Sequence, residues 1–357
     1  MIEMADSDLA IGYDYFTRLK EIVDFSVYKS TFLLTDNVIF ELYADKIRRI
    51  FDRELAINRY LAIPSGEENK SLATVEKIAR KMLDSGIGHD SVLVAMGGGT
   101  VCEIGGLSAC LYRHGIDYIN LPTTLVGQVD ASLGGDCAVN LGSERDIIGL
   151  VSRPRKTVVD PGFLDTLSRE QIKDGMAVML KIAAAADSDL FGKLESIRCE
   201  LIGADDSLKL ELIERTARLK LAVTARDLHE RGYRKILDFG QTTGRALEPC
   251  ENNRDLTYGR ALAIGMLVEI ELSDFVCGLG PAVKARIKTN IKTLLRGSAA
   301  PNIKGEELWV KIQYDDRFSI KEVKFTLLED IGIPRFKAVF KDQFLTAYNT
   351  VCRELWE

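Results

Sequence analysis

One lysine of this chain lies where solvent exposure is hard to arrange. Lys181 interrupts the apolar run MAVMLKIAAAA, residues 176–186. A lysine on an amphipathic helix is usually a solvated residue whose stem covers apolar surface. Inside an apolar run its pKa is prone to fall, which suits general acid–base work. The run therefore predicts a lysine that can exchange protons with a bound molecule.

Three glycines follow a predicted buried strand and open a predicted helix. The segment is SVLVAMGGGT, residues 91–100, and its glycines are Gly97, Gly98 and Gly99. Glycine lets the backbone approach a pyrophosphate, and the N–H groups at a helix N-terminus bind it. The spacing is not the GxGxxG of the common dinucleotide motif, so a simple tight turn remains an alternative.

Two further polar loops favour a nucleotide site. PSGEENK, residues 64–70, places Glu67 and Lys70 after a predicted strand, and LPTTLVGQVDASLGGD, residues 121–136, ends another strand with two threonines. Carboxylates can bind ribose hydroxyls, and threonine hydroxyls can bind ring or phosphate atoms. Because parallel α/β sheets bind ligands at the carboxyl ends of their strands, we expect these loops to share one site.

The elements that position these residues fall into two sets. Short apolar runs alternate with amphipathic ones over the first ~155 residues, which predicts a doubly wound parallel α/β sheet. Its predicted strands and helices are residues 30–36, 71–87, 91–100, 101–115, 116–124 and 156–164. Helical patterns then dominate, at residues 168–196, 206–230, 238–249, 258–277, 281–297 and 337–356, with a β-like pair at 318–329. The predicted domains are an α/β domain at 1–165 and an α-helical domain at 166–357.

The composition is that of an ordinary globular protein. Of the 357 residues, 46% are hydrophobic and 28% charged, and the formal net charge of -6 argues against a general affinity for nucleic acid or anionic membranes. The seven cysteines include no CxxC pair and the three histidines are scattered, so we expect reduced thiols and no locally built zinc site. The first residues lack a signal-peptide apolar core, so the expected location is cytoplasmic.

Taken in order along the chain, these motifs resemble the dehydroquinate synthase family, also called the sugar phosphate cyclases. The resemblance rests on PSGEENK, GGGTVCEIGG (97–106), RHGIDYINLPTTLVGQVDASLGGDCAVNLG (113–142), GMAVMLK (175–181), RGYRKILDFGQTTGRALE (231–248) and YGRALAIGM (258–266). It implies an N-terminal Rossmann-like NAD-binding domain, a C-terminal helical domain and commonly a homodimer. The NAD-binding positions that it implies are Asp36, Glu67, Lys70, Gly98, Gly99, Glu103, Thr123, Thr124, Asp130, Arg145, Thr166 and Leu167.

Members of the family also bind a divalent metal, usually zinc, and this chain departs from the pattern there. The family's ligands are the glutamate of GMAE and two histidines, and the matching residues here are Val178, Gln241 and Tyr258. Valine cannot ligate, the glutamine carbonyl is weak, and tyrosine binds zinc poorly near neutral pH because its pKa is ~10. We therefore expect no zinc at the family site.

The family's phosphate site departs as well. Its basic and amide positions here carry His114, Asp136, Asp146, Asp238, Arg245 and either Asp316 or Arg317. Carboxylates facing a phosphate dianion would each repel it by ~1 kcal/mol or more at an effective dielectric constant of ~20. The substitutions predict a substrate without phosphate, although drift on an unused surface would give the same sequence.

The family positions that line the substrate cleft or its edge are matched by Lys181, Lys220, Arg234, Asp130 and Asn140. The candidate catalytic residues are Lys181, Tyr258, Asp130, Lys220, Arg234, Gln241 and Arg245. Tyr258 occupies a former metal position, so we hypothesise that it donates the proton beside Lys181.

The sequence leaves three functional hypotheses. The first is a metal-independent, NAD-binding enzyme that acts on a small polyol, ketone or cyclic intermediate, as in family branches that serve specialised metabolism. The second is an inactive homologue that works as a partner subunit. The third is a genuine sugar phosphate cyclase whose metal lies elsewhere.

Overall fold

A computed structural model describes residues 8–142, 144–248, 256–314 and 323–356. The chain divides into two compact units, Met1–Ser168 and Arg169–Glu357. The division falls three residues beyond the predicted 165/166 boundary. Pro161–Thr166 form a 3-10 helix directly after the last strand of the first unit, and Asp160 caps that helix. The residues up to Ser168 therefore belong to the first unit.

The first unit is built on a six-stranded sheet. Its strand order is β1-β8-β5-β4-β2-β3, and every adjacent pair runs parallel. The strands of this unit are β1 (Leu9–Ile11), β2 (Ser30–Asp36), β3 (Tyr60–Ile63), β4 (Ser91–Gly97), β5 (Asp117–Pro122), β6 (Asp136–Leu141), β7 (Glu144–Val151) and β8 (Lys156–Val159). The predicted parallel α/β class is confirmed.

Side chains of alternate residues on the central strands pack into two apolar cores, one on each face of the sheet. Phe32 and Leu34 of β2 pack in one cluster, while Leu33 packs in the other with Val92 and Val94 of β4. Both faces of a parallel sheet are covered, which explains why these strands are almost continuously apolar. The helices of this unit are α1 (Leu19–Ile22), α2 (Asn37–Leu42), α3 (Ala44–Ile50), α4 (Asp52–Ala56), α5 (Leu72–Asp84) and α6 (Gly99–Leu111).

An antiparallel hairpin of β6 and β7 was not predicted. Its sequence combines glycines and charged residues, which suggest loops more than strands. The predicted helix at 101–115 also starts earlier, because Gly98 takes the N-cap position of α6 and Gly99 is already helical.

The second unit is mainly helical, as predicted. Its helices are α7 (Arg169–Ala186), α8 (Ser188–Ser196), α9 (Asp206–Arg226), α10 (Gln241–Leu247), α11 (Tyr258–Cys277), α12 (Pro281–Leu294), α13 (Gly305–Tyr314) and α14 (Lys341–Trp356), with a 3-10 helix at Tyr233–Asp238. Helix α11 is buried along most of its length and packs against α7, α10, α12 and α14. None of the described helices of either unit is long and apolar enough to cross a membrane.

Two predictions for this unit were wrong in detail. The helix predicted at 168–196 is two helices, because the Asp187 carboxylate accepts from the N–H groups of Asp189 and Leu190 and starts α8 anew. The predicted β-like pair at 318–329 is a hairpin further along the chain, β9 (Val323–Asp330) with β10 (Ile333–Val339). Residues 318–322 lie outside the described residues.

Candidate functional site

The parallel sheet gathers most of the predicted cofactor residues at one edge. Strands β2, β3, β4, β5 and β8 run in the same direction, so the loops after their carboxyl ends meet there. Each of these strand ends carries predicted residues: Asp36 at the end of β2, Glu67 and Lys70 after β3, Gly98 and Gly99 after β4, Thr123 and Thr124 after β5, and Thr166 and Leu167 after β8.

The glycine cluster forms a close turn into α6. A Cβ on Gly97 would lie 2.6 Å from the Cβ of Val101, and one on Gly99 would lie 2.9 Å from that of Ala131. Side chains therefore cannot replace these glycines without movement. No side chain of the described residues caps α6, so its first N–H groups can bind an anion.

A buried hydroxyl beside this turn has no hydrogen-bond partner among the described residues. The N–H of Thr123 donates to the Gly97 carbonyl at 2.8 Å, which fixes the end of β5 against that of β4. Its Oγ1 is buried and makes no hydrogen bond to any described residue. Buried polar atoms are nearly always paired, so this hydroxyl is placed for a ligand atom. The neighbouring Thr124 Oγ1 instead accepts from the N–H of Gly127 at 3.1 Å.

Lys70 lies among three carboxylates in what we call the Lys70 cluster: Lys70, Glu67, Glu103 and Asp146. The Lys70 ammonium forms close ion pairs with Glu103 and Asp146 and lies 3.7 Å from Glu67. Glu67 is oriented by two further bonds, from Thr100 Oγ1 at 2.8 Å and Asn140 Nδ2 at 3.0 Å. The cluster thus joins the loop after β3, the first turns of α6 and the β6–β7 hairpin.

Burial and mutual charge set the protonation of this cluster. Burial raises the pKa of Glu103 to about 8, although the nearby Lys70 ammonium opposes the shift. Burial also disfavours the charge of Lys70, but the surrounding carboxylates of Glu103, Asp146 and Glu67 outweigh it and raise its pKa. Lys70 therefore stays charged, and the protonation of Glu103 changes near neutral pH.

The remaining predicted cofactor residues have structural partners of their own. The Asp36 carboxylate caps α2 by accepting from the N–H of Ile39 at 2.9 Å, and Thr166 Oγ1 lies 2.8 Å from the hydroxyl of Tyr43. Asp130 is buried in a π-helical turn, Gly127–Ala131. Arg145 lies on β7 next to Asp146, and Leu167 follows the 3-10 helix after β8.

In the second unit, Asp174 ties the start of α11 to α7. Its carboxylate accepts from Thr257 Oγ1 at 2.6 Å and from the N–H of Gly259 at 3.1 Å. A Cβ on Gly259 would lie 2.2 Å from the Cα of Asp174, so the approach requires glycine. Burial raises the pKa of Asp174 to about 6, despite the hydrogen bonds from Thr257 and Gly259.

This tie places Tyr258 beside one face of α7. Val178 and Lys181 follow Asp174 by four and seven residues, so the three share that face. Val178 and Lys181 are fully buried, as expected for the apolar run around Lys181. Gln241 Nε2 donates to Tyr258 Oη at 3.4 Å, so the two residues predicted to replace the family's histidine ligands lie together.

Glu269 fixes the start of α10, where Gln241 lies. This fully buried carboxylate of α11 accepts from the N–H of Gly240 at 2.5 Å and from that of Thr243 at 3.5 Å. Its burial raises its pKa well above the usual range, against the effect of these bonds. A Cβ on Gly240 would lie 2.4 Å from the Cγ of Met266, so helices α10 and α11 meet closely.

The amide of Gln241 and the phenol of Tyr258, which meet here, and the side chain of Val178 on α7 do not fit a divalent metal. None of the three supplies the imidazole or carboxylate that zinc prefers. Within the described residues, no group of three or more His, Cys, Asp and Glu side chains could hold a metal ion.

Two more buried cations lie in the second unit. Lys220 is on α9 and Arg234 on the 3-10 helix at Tyr233–Asp238, and these elements pack against each other and against α7. Arg234 Nη1 donates to the Leu228 carbonyl at 3.2 Å. Arg245 is half-buried on α10, one turn after Gln241.

The predicted phosphate-site carboxylates do not form one pocket in the first unit. Asp136 begins β6, whereas Asp146 lies beside Asn140 near the other end of the hairpin. Four residues of strand rise correspond to about 13 Å, which short aspartate side chains do not bridge. Asp146 joins the Lys70 cluster instead. His114 follows α6 with a positive φ of 68°, Asp238 ends a 3-10 helix of the second unit, and Asp316 and Arg317 lie outside the described residues.

The residues that sequence analysis missed are those that hold others in place. They are Thr100, Asp174, Thr257 and Glu269. Thr257 carried a usable signal, since a threonine directly before a helical pattern is a typical N-cap. The other three are recognised only by their tertiary contacts.

Comparison with known proteins gives a consistent result. Residues 60–174 match the model of the 3-dehydroquinate synthase N-terminal domain, and residues 175–317 match that of the C-terminal domain. The chain is 31% identical over 339 residues to 3-dehydroquinate synthase of Thermoanaerobacter pseudethanolicus, covering 94% of each chain. It is 32% identical over 314 residues to that of Francisella tularensis subsp. tularensis, covering 87% of each.

Solved structures show the same fold. A 2-epi-5-epi-valiolone synthase from Streptomyces hygroscopicus subsp. jinggangensis, with NAD+ and Zn2+ bound, is similar with a TM-score of 0.88 at 23% identity, over 99% of each chain. A 2-deoxy-scyllo-inosose synthase complexed with carbaglucose-6-phosphate, NAD+ and Co2+ is similar with a TM-score of 0.82 at 20% identity, over 96% of each chain.

Proposed function

Because the chain belongs to the 3-dehydroquinate synthase family, we propose that it is an NAD-binding enzyme of that family that works without a metal ion. Its proposed substrate is a small polyol, ketone or cyclic intermediate without phosphate. The observation that supports the proposal is the hydrogen bond of 3.4 Å between Gln241 Nε2 and Tyr258 Oη, two residues at positions where the family resemblance implies metal-binding histidines.

The first unit fits a dinucleotide. Gly98, Gly99 and the open N-terminus of α6 would hold the pyrophosphate, and the unpartnered Thr123 hydroxyl would bind a further cofactor atom. When bound, NAD supplies a hydride acceptor for a secondary alcohol. The protein's own contribution there is to bind and orient the cofactor through backbone groups that need no reorganisation.

Tyr258 and Lys181 are the proposed proton-handling residues. Tyr258 Oη accepts from Gln241, so its own hydrogen is directed away from the amide. Lys181 is fully buried on the α7 face that Asp174 ties to the start of α11. We assign to Lys181 the role of stabilising the phenolate as an ammonium, so that Tyr258 loses and regains its proton at a substrate oxygen. This assignment gives the phenol a role that the family leaves to its metal.

The proposed lack of phosphate rests on Asp146. This carboxylate occupies a family amide position and is paired with Lys70. An aspartate there repels a phosphate dianion, by ~1 kcal/mol or more at an effective dielectric constant of ~20. A neutral polyol or ketone meets no such repulsion.

Metal and cofactor content test the proposal directly. The purified chain is analysed by native mass spectrometry and elemental analysis, and then tested for turnover of phosphate-free polyols and ketones with and without a chelator. We expect bound NAD, no stoichiometric zinc, and chelator-resistant turnover that Tyr258→Phe lowers at least 100-fold. The matched control is Tyr233→Phe, the same change at an exposed tyrosine, which should leave turnover unchanged.

Other outcomes identify the alternatives. One zinc per chain with loss of turnover on chelation contradicts the metal-independent assignment and favours a genuine cyclase. Bound NAD without turnover of any substrate, together with co-purification of a related active chain, favours a partner subunit.

A further inference from the structure

Two cysteines of the first unit, far apart in the chain, lie against each other in the fold. We propose that Cys110 and Cys137 are a peroxide-reactive thiol pair, in which Cys110 is oxidised first and Cys137 then closes a reversible disulfide. Both are free thiols in the structure. The inference concerns the last turn of α6 and the start of β6, and it does not depend on the proposed binding of NAD.

The packing of β6 on α6 brings the two sulfur atoms together. A Cβ on Gly106 would lie 2.5 Å from the Cys137 Sγ, so this sulfur rests on the helix surface at Gly106. Cys110 follows Gly106 by four residues and therefore shares its face of α6. Because helical side chains lean towards the N-terminus, the Cys110 thiol points back towards Gly106, where it is hydrogen-bonded to the Cys137 thiol.

Polar groups around the pair favour a thiolate on Cys110. The hydrogen bond from the Cys137 thiol lowers the pKa of Cys110 to about 6, against the effect of partial burial and with a further bond from the Ser152 hydroxyl. Cys137 keeps its proton, because its bond to Cys110 and its own burial both raise its pKa. Tyr118 Oη lies 3.5 Å from the Cys137 Sγ and donates to the Ser152 carbonyl at 2.6 Å, which holds the group in place.

The exposure of the two thiols matches this division of roles. Cys110 is half-buried near the end of α6, next to the exposed side chain of Leu111, whereas Cys137 is buried. A small hydroperoxide can therefore reach Cys110 from solvent. An accessible thiol of low pKa beside a second cysteine is the arrangement typical of peroxide-reactive sites.

The proposed reaction consumes a hydroperoxide, here hydrogen peroxide. The Cys110 thiolate attacks one peroxide oxygen, so an S–O bond forms, the O–O bond breaks, and the departing hydroxide takes up a proton. The Cys137 sulfur then attacks the Cys110 sulfur, which forms the S–S bond and expels the oxygen as water with the Cys137 proton. The two thiols lose two electrons and two protons, and one hydrogen peroxide becomes two water molecules.

Mass spectrometry of the full chain and of its peptides tests the pair. The reduced protein is treated with a small molar excess of hydrogen peroxide at neutral pH and then divided into samples with and without dithiothreitol. The variant Cys137→Ser removes the second thiol and keeps a hydroxyl donor for Cys110, and dimedone traps the sulfenic acid that remains. The control is Cys277→Ser, which removes a half-buried thiol of the second unit whose burial raises its pKa.

We expect wild type and Cys277→Ser to lose about 2 Da, with Cys110 joined to Cys137 in the peptide map, and dithiothreitol to reverse the change. Cys137→Ser should form no such disulfide and should carry roughly 10-fold more dimedone on Cys110 than on Cys277. Folded wild type that keeps both thiols free, or joins either to another cysteine, overturns the inference. Equal dimedone labelling of Cys110 and Cys277 in Cys137→Ser also overturns it. If Cys137→Ser does not fold, Cys137→Ala is treated in its place.

Discussion

Gly259→Ala tests the close contact between the start of α11 and Asp174 of α7, which places Tyr258 beside α7. The added Cβ would lie 2.2 Å from the Cα of Asp174 and 2.5 Å from its Oδ1. The nearest atom belongs to the backbone, so a change of rotamer cannot relieve the contact. The start of α11 must instead move away from α7 by roughly 1.2–1.8 Å to reach an ordinary contact distance.

The movement weakens two hydrogen bonds as well as the packing. Overpacking of this kind destabilises by about 1–3 kcal/mol. The bonds from Thr257 Oγ1 and the Gly259 N–H to Asp174, at 2.6 and 3.1 Å, contribute about 1 kcal/mol each. Together we expect a loss of roughly 3–5 kcal/mol, which corresponds to a fall in Tm of roughly 5–15 °C.

Urea and thermal unfolding of purified variants measure this effect. Gly192→Ala is the matched control, because this glycine also lies in a helix of the second unit and its added Cβ would be 3.6 Å from the nearest atom. That control should be neutral or stabilising by up to about 1 kcal/mol, the difference in helix propensity. Gly259→Ala as stable as Gly192→Ala would show that the close approach of α11 to α7 is not as the structure has it.

Three other predictions concern the buried charges of Asp174, Glu269 and Lys70. Burial raises the pKa of Asp174 from 3.8 to about 6, so the folded state holds a proton that the unfolded state has lost. Stability from this group should therefore fall as pH rises from about 4 to 6, by up to roughly 3 kcal/mol. Asp174→Asn should remove that part of the slope in urea unfolding, and an unchanged slope contradicts the assignment. Glu269→Gln should retain the acceptor for the Gly240 N–H and unfold near the wild-type urea concentration. Glu269→Ala removes that acceptor and should lower the free energy of unfolding by about 2 kcal/mol or more. Equal effects of the two variants would argue against a capping role. At a pH of about 9, where Glu103 is ionised, Lys70→Met should cost about 3–5 kcal/mol by leaving the buried Glu103 carboxylate without its cation, and Lys70→Met with Glu103→Gln should recover part of that loss. Additive losses in a double-mutant cycle at this pH would refute the pairing.

The two-unit fold could be predicted from the sequence because its signals are local. Strand β2 and helix α11 occupy the predicted residues 30–36 and 258–277, since apolar periodicity and turn residues define them without tertiary help. The β6–β7 hairpin could not be predicted in this way. Its strands mix glycine and charge, and they are stabilised by pairing with each other and by packing of β6 on α6.

The candidate site also has features that the sequence predicts and features that it does not. The sequence alone determined which residue types are available: glycines at the end of β4, Lys181 in an apolar run, and Val178, Gln241 and Tyr258 where metal ligands were expected. These facts follow from composition and order, which no fold can alter. The alternation of strands and helices also determined that the strands run parallel, and with it the edge at which the loops meet.

Only the tertiary structure decided which groups act on one another. In the folded chain, Asp146 pairs with Lys70 and lies away from Asp136. The Thr123 hydroxyl has no partner among the described residues, and Gln241 contacts Tyr258. Charge, burial and hydrogen bonding depend on distances of a few ångströms between residues far apart in the chain. Such distances are set by the packing of whole elements, so a pattern of neighbouring residues in the sequence does not contain them.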